Sequence, residues 1–229
     1  MGGINTRASA AKRWALLCAA AALCAALVWA YAAGRVSAQL LSMSGVLLVL
    51  LLGFASFELS RPSAKTVAAV AVLSAVAVAG RVLFAPLANF KPVGAVVIVA
   101  GAVFGSGAGF MTGAASAVCS NMLFGQGAWT PWQMLGFGLV GAVAGVLGKR
   151  GLLSGRVGLC LYGAAAGYLY GIVVDTFYLL GYVAPTKEAV WAAFVGGVLF
   201  NTIHSGANVF FLAVIGRAWV KKLTRIRDR

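Results

Sequence analysis

Charge is what this sequence has least of. Asp, Glu, Lys and Arg make up 10% of its 229 residues, against roughly 25% in soluble domains. That shortfall excludes an ordinary water-facing surface. Acids are scarcest: Glu58, Asp175, Glu188 and Asp228 are the four, too dispersed for a paired-carboxylate site. A single histidine, His204, excludes a multi-His metal centre. Cys18, Cys24, Cys119 and Cys160 lie inside apolar runs without ligand spacing and read as small packing residues. No metal or cofactor is expected. Gly145-Val-Leu-Gly-Lys149 faintly imitates a phosphate loop, but Arg150 stands where Ser or Thr is required and Val143 where the first Gly is. ATP hydrolysis by that route is excluded.

What is there is hydrophobic: 62% of the chain. A bilayer span needs about 20 mostly apolar residues, and runs of that kind follow one another closely. They are Trp14–Ala33, Leu40–Leu59, Lys65–Phe84, the short Val93–Phe104, the Gly-rich Gly107–Phe124, Pro131–Gly148, Val157–Val183 and Glu188–Gly216. The expectation is an all-α integral membrane protein of about eight helices. Ala30-Tyr31-Ala32 resembles a signal-peptide cleavage site. The apolar run before it exceeds the usual region of about 7–15 residues, so a retained span is expected.

A net charge of +14 points to nucleic acid in a soluble protein. Here the cations sit at the ends of apolar runs. Threading the spans from a cytoplasmic N-terminus puts 14 of the 18 basic residues inside. These are Arg7, Lys12, Arg13, Arg61, Lys65, Lys149, Arg150, Arg156, Arg217, Lys221, Lys222, Arg225, Arg227 and Arg229. Arg35, Arg81, Lys91 and Lys187 fall outside. The positive-inside rule favours that arrangement, with both termini cytoplasmic, and no nucleic-acid partner is expected. The C-terminal cluster reads as a topology anchor that touches anionic lipid.

Val93–Phe104 is short for a ~30 Å hydrocarbon core. It either borders a binding cavity or is a tilted, buried helix ending in a tight turn at Ser106-Gly107. Glycines recur every four residues at 101, 105, 109 and 113, at 141 and 145, and at 163, 167 and 171. Such stripes let helix backbones approach closely. Ala64 and Ala68, then Ala71, Ala75 and Ala79, leave a smooth face on the third span. By residue pattern alone it suits a neighbour within the bundle better than a separate protein.

Polar residues at membrane depth are costly and commonly functional. Asp175 shares a helical face with Tyr168, Tyr178 and Tyr182, and Asn201, His204 and Asn208 share another. Asn121 and Arg81 lie near the outer ends of their spans. These groups either satisfy one another between helices or line a pocket open to the outside. Trp129 and Trp132 suit an interface belt or a planar ligand equally well.

From Ala64 to the C-terminus the chain resembles the substrate-binding S components of energy-coupling factor (ECF) vitamin transporters. The residues that carry this are Ala71-x-x-x-Ala75-x-x-x-Ala79, Arg81-Val-Leu-Phe84, Pro86-Leu-Ala-Asn-Phe-Lys-Pro92, Val103-Phe-Gly-Ser-Gly-Ala-Gly109 and Asn121-Met-Leu-Phe-Gly-Gln-Gly-Ala-Trp-Thr-Pro-Trp-Gln133. The Gly-Gln-Gly-x-Trp-Thr-Pro-Trp-Gln loop is similar to the cobalamin branch, with Ala128 where a proline is expected. Riboflavin-like, queuosine-like and other vitamins stay open.

The resemblance implies a six-helix binding domain at 63–229 preceded by two extra transmembrane helices at 1–62. It implies a multi-pass protein of the prokaryotic inner membrane. The partners would be a vitamin, a membrane coupling subunit and two ATPase subunits, with Ala71, Ala75 and Ala79 as the docking face. Arg81, Asn89, Lys91, Asn121, Gln126, Trp129, Trp132, Gln133 and Asp175 are the candidate pocket residues, in a binding role and not a catalytic one. Two other readings remain: an intramembrane enzyme using Asp175 and His204, and a scaffold holding partner helices.

Overall fold

Apolar runs broken only by short polar turns leave the backbone one option in lipid, the α-helix, and the described secondary structure is entirely helical. The computed structural model describes residues 3–182 and 186–228, with side chains for 18–181 and 186–228. The side chains of Arg7, Lys12, Arg13 and Tyr182, and residues Val183 and Arg229, lie outside the described residues. The chain divides into two compact units at the Arg61–Pro62 bond.

The first unit holds α1 (Gly3–Ala32) and α2 (Ala38–Leu59). Gly34, at φ 68°, turns the chain between them, a conformation that glycine adopts without a steric penalty. Ser37 opens α2 as its N-cap, accepting from the Leu40 amide at 3.1 Å.

The second unit holds α3 (Ala64–Leu83), α4 (Val93–Phe104), α5 (Ser106–Phe124), α6 (Thr130–Lys149), α7 (Arg156–Tyr182) and α8 (Lys187–Phe211). A π-helical turn, Leu212–Gly216, leads into α9 (Arg217–Asp228). Among the described residues, five helices are long and apolar enough to cross a membrane: α2, α3, α6, Arg156–Gly181 of α7, and the continuous Lys187–Asp228. Cys18–Ala32 and α4 are shorter apolar helices, while α5 is a 19-residue helix rich in Gly, Ala and Ser. The last helix does not stop at Gly216, as the hydrophobic run implies. The π turn carries the backbone through that glycine, and the cations beyond it are helical.

The core of the second unit is built around α4. Ten of its 12 residues are buried, among them Val97 and Ile98 at 0% exposure. Gly105, at φ 92°, breaks the backbone and starts α5. The glycine stripes pack within this unit. A Cβ on Gly109 would lie 2.2 Å from the Gly141 carbonyl oxygen, and one on Gly113 2.2 Å from that of Phe137, so α5 and α6 touch backbone to backbone. The α7 stripe meets α8 in the same way, Gly167 against Ser205 and Gly171 against Asn201. Asn208 donates to the Gly163 carbonyl at 3.1 Å and Ser205 to that of Ala164 at 2.7 Å.

Candidate functional site

The loop between α3 and α4 roofs one end of the second unit. Asn89 takes a left-handed conformation, φ 59°, which asparagine tolerates better than most residues. Phe84 packs edge-on to Phe211 with centroids 5.1 Å apart, and Phe90 lies 5.6 Å from the rings of both Phe210 and Phe211. These rings pin both ends of the loop to α8. The Lys91 ammonium donates back to the carbonyls of Phe84, Ala85 and Leu87, that of Ala85 at 3.1 Å. Partial burial, and then the neighbouring Arg81 cation, hold this ammonium below the usual lysine range.

Beneath the loop lies a cavity of about 110 Å³ lined by Arg81, Asn89, Lys91, Val93, Gly94, Gln133, Phe137, Tyr170, Phe200 and His204. Its polar side is a set of donors and amides. Its other side is a run of rings: Phe137 stacks on Tyr170 at 4.1 Å, Tyr170 on His204 at 5.2 Å, and Phe200 lies 4.2 Å from His204. His204 Nδ1 is 3.1 Å from the Phe200 carbonyl oxygen. The two readings of the short α4 therefore meet, since the helix is buried and its first residues, Val93 and Gly94, border the cavity.

A hydrogen-bonded chain holds the polar side. Arg81 Nη1 donates to Asn121 Oδ1 at 2.8 Å and to Ser120 Oγ at 2.5 Å. Asn121 Nδ2 donates in turn to Gln133 Oε1 at 2.7 Å and Thr130 Oγ1 at 3.0 Å. Thr130 donates to Gln126 Oε1 at 2.9 Å, and Gln126 Nε2 to the Val118 carbonyl at 2.9 Å. The Phe124 ring, 5.0 Å from the guanidinium carbon, adds a cation–π contact. Asn121 is 1% exposed, so it organises the site from behind and does not line it.

Four of the nine sequence candidates, Arg81, Asn89, Lys91 and Gln133, thus line one cavity. Asn121 and Gln126 support them. The other three lie elsewhere. Trp129 is exposed over Gly127. Trp132 is buried against Phe177, with no hydrogen-bond partner for its Nε1. Asp175 accepts from Asn201 Nδ2 at 3.1 Å, between α7 and α8. Tyr168, from the same predicted face, shares a 2.7 Å hydrogen bond with Thr202. Asp175 and His204 therefore have separate partners, and their environments differ.

Sequence reasoning missed the ring floor as a unit. The only signal was Phe200 and His204 four residues apart on one helix, because Phe137 and Tyr170 come from other helices.

Ala71, Ala75 and Ala79 are all exposed, while Leu73 and Ala77 between them are buried. The smooth face of α3 thus points away from the core of its own unit.

Residues 61–225 match the family described as ECF-type riboflavin transporter, S component. No curated protein and no solved structure gives a significant match. The matched segment takes in the whole roofed cavity and the alanine face. The chain belongs to this S-component family, a family of transporter subunits and not an enzyme class, whose members bind a small vitamin and dock on a membrane-embedded ECF module.

Proposed function

We propose that the chain captures a vitamin with a flat, flavin-sized ring system for an ATP-driven ECF importer. The observation that carries this reading is the cavity under the Asn89–Lys91 loop, with cations and amides on one wall and stacked rings on the other. Amide and cationic donors suit the carbonyl and hydroxyl groups of such a ligand, and aromatic faces suit its ring. Pockets for drug-sized ligands span roughly 300–1,000 Å³. A cavity of about 110 Å³ lies below that range, so it has to widen to take either vitamin, less for a flavin than for the corrin of cobalamin, and the family match favours the flavin.

In this reading α3 to α9 form the binding domain and α1 and α2 are additions to it. The termini face the cytoplasm of a prokaryotic cell. Ala71, Ala75 and Ala79 dock on a membrane coupling subunit carried by two ATPases. Their exposure supports that role.

The test is titration of the purified full chain in lipid nanodiscs with riboflavin, cobalamin and other water-soluble vitamins. Submicromolar binding of riboflavin, lost in Arg81→Ala, is expected. Tight cobalamin binding with none for flavins overturns the flavin assignment. No tight ligand at all overturns capture and leaves the scaffold reading.

A further inference from the structure

The C-terminal helix carries far more positive charge than its own unit neutralises. On α9, Trp219, Val220 and Leu223 pack towards the core, while Arg217, Lys221, Lys222, Arg225 and Arg227 are exposed. Asp228 is the one acid on the helix, and it already pairs with Arg227 at 2.8 Å. Arg227 also donates to the Val103 carbonyl at 2.7 Å, tying α9 to the end of α4. Among the described residues no other carboxylate forms an ion pair with α9. Four cations are left without a counter-charge.

One of them edges a cavity. Between α3 and α9 lies a space of about 240 Å³ lined by Leu73, Trp219, Lys222 and Leu223. Three walls are apolar and the fourth ends in an ammonium. Dry apolar cavities on the order of 150 Å³ hold a benzene-sized hydrocarbon, so this one has room for a length of hydrocarbon chain. Arg225 lies three residues beyond Lys222, which makes them neighbours on the helix surface. A phosphate there meets two cations, and an acyl chain below it meets Leu73, Trp219 and Leu223. Exposed Lys and Arg side chains near a membrane surface attract anionic lipid head groups.

We infer that the α3–α9 cavity is a binding site for one anionic glycerophospholipid, its phosphate on Lys222 and Arg225 and an acyl chain along Leu73, Trp219 and Leu223. A free anion uses only the cations, and an acidic segment of a partner protein has no use for the hydrocarbon walls. The lipid alone uses both halves of the site. The inference does not depend on what the roofed cavity captures.

Native mass spectrometry of the full chain, released from detergent with phosphatidylglycerol and phosphatidylcholine of identical acyl chains, tests it. The wild type should retain phosphatidylglycerol in preference. Lys222→Gln should lower that retention about fivefold, the weight of one cation near an anionic surface, and Arg225→Gln similarly. Lys187→Gln, at the far end of the same continuous helix, should leave it unchanged. Both target side chains are exposed, so an unaltered thermal transition checks that the variants fold. Equal retention of the two lipids, or unchanged retention in Lys222→Gln, overturns the inference. So does displacement of the lipid by inorganic phosphate, which reassigns the cations to a free anion. Displacement by an acidic peptide with no lipid preference reassigns them to a protein partner.

Discussion

Arg81 and Asn121, 40 residues apart in sequence, are joined by a 2.8 Å hydrogen bond from guanidinium to amide oxygen. That bond ties the C-terminal end of α3 to that of α5. Asn121 spends its two amide protons on Thr130 and Gln133, so one buried side chain fixes three elements around the cavity. Replacing Asn121 by Ala strands those partners. The expected cost is about 1–3 kcal/mol of stability, read as a lowered thermal transition, together with weaker ligand binding.

Arg81→Lys keeps the charge but replaces the planar guanidinium, whose Nη1 donates to both Ser120 and Asn121, by a compact ammonium of different geometry. Affinity for the captured vitamin should fall at least about tenfold, equivalent to about 1.4 kcal/mol, with little change in thermal stability. Calorimetric titration checks it. An unchanged affinity removes Arg81 from the binding wall.

The backbone contact of α5 with α6 makes a sharp packing prediction. Gly109→Ala places a methyl group 2.2 Å from the Gly141 oxygen, and overpacking of this kind costs about 1–3 kcal/mol. Gly206→Ala meets nothing within 4 Å and should be neutral. Thermal unfolding of the two variants in the same detergent separates them.

Lys91 gives the pH dependence. Burial and the Arg81 cation lower its pKa, so it loses its proton earlier than a free lysine as pH rises. Its loss frees one of the three loop carbonyls that the ammonium holds and removes a positive charge from the cavity wall, so ligand binding should weaken on the alkaline side, below the usual lysine range. His204 and Tyr170 face the same cavity, so the control is Lys91→Gln, which should flatten that limb. Folding responds with the opposite sign. The unfolded chain holds this proton more tightly, so Lys91 adds stability as pH rises through the window from its lowered value to the ordinary one.

Ala75 is exposed, so Ala75→Leu should leave folding and vitamin binding intact. In the proposed role it abolishes co-purification with a coupling module and ATP-driven uptake. Retained uptake in vesicles contradicts the assignment of that face.

Much of this was legible in the sequence because lipid restricts the backbone so strongly. Apolar runs gave the helices α2, α3, α6 and α7 to within a few residues, and the glycine periods predicted intramolecular packing of the kind seen at Gly109 and Gly167. Arg81, Asn89, Lys91 and Gln133 stood out as polar groups in an apolar chain. The floor of the cavity did not stand out. Phe137, Tyr170 and Phe200 look like any core aromatic until three helices bring them together. Asp175 is the converse case: a carboxylate in a span attracts notice, and here it meets Asn201 between two helices and not the cavity. The end of the last helix was misjudged because cations mark the end of a hydrophobic run and not the end of an α-helix.

Small-molecule mass spectrometry of what co-purifies with the full chain tests the central claim most directly. The wild type should carry a flavin-sized ring vitamin at near one per protein, and Arg81→Ala should carry none. A wild type with no bound vitamin after expression in vitamin-replete cells, or equal occupancy in the two proteins, contradicts capture in the cavity beneath the Asn89–Lys91 loop.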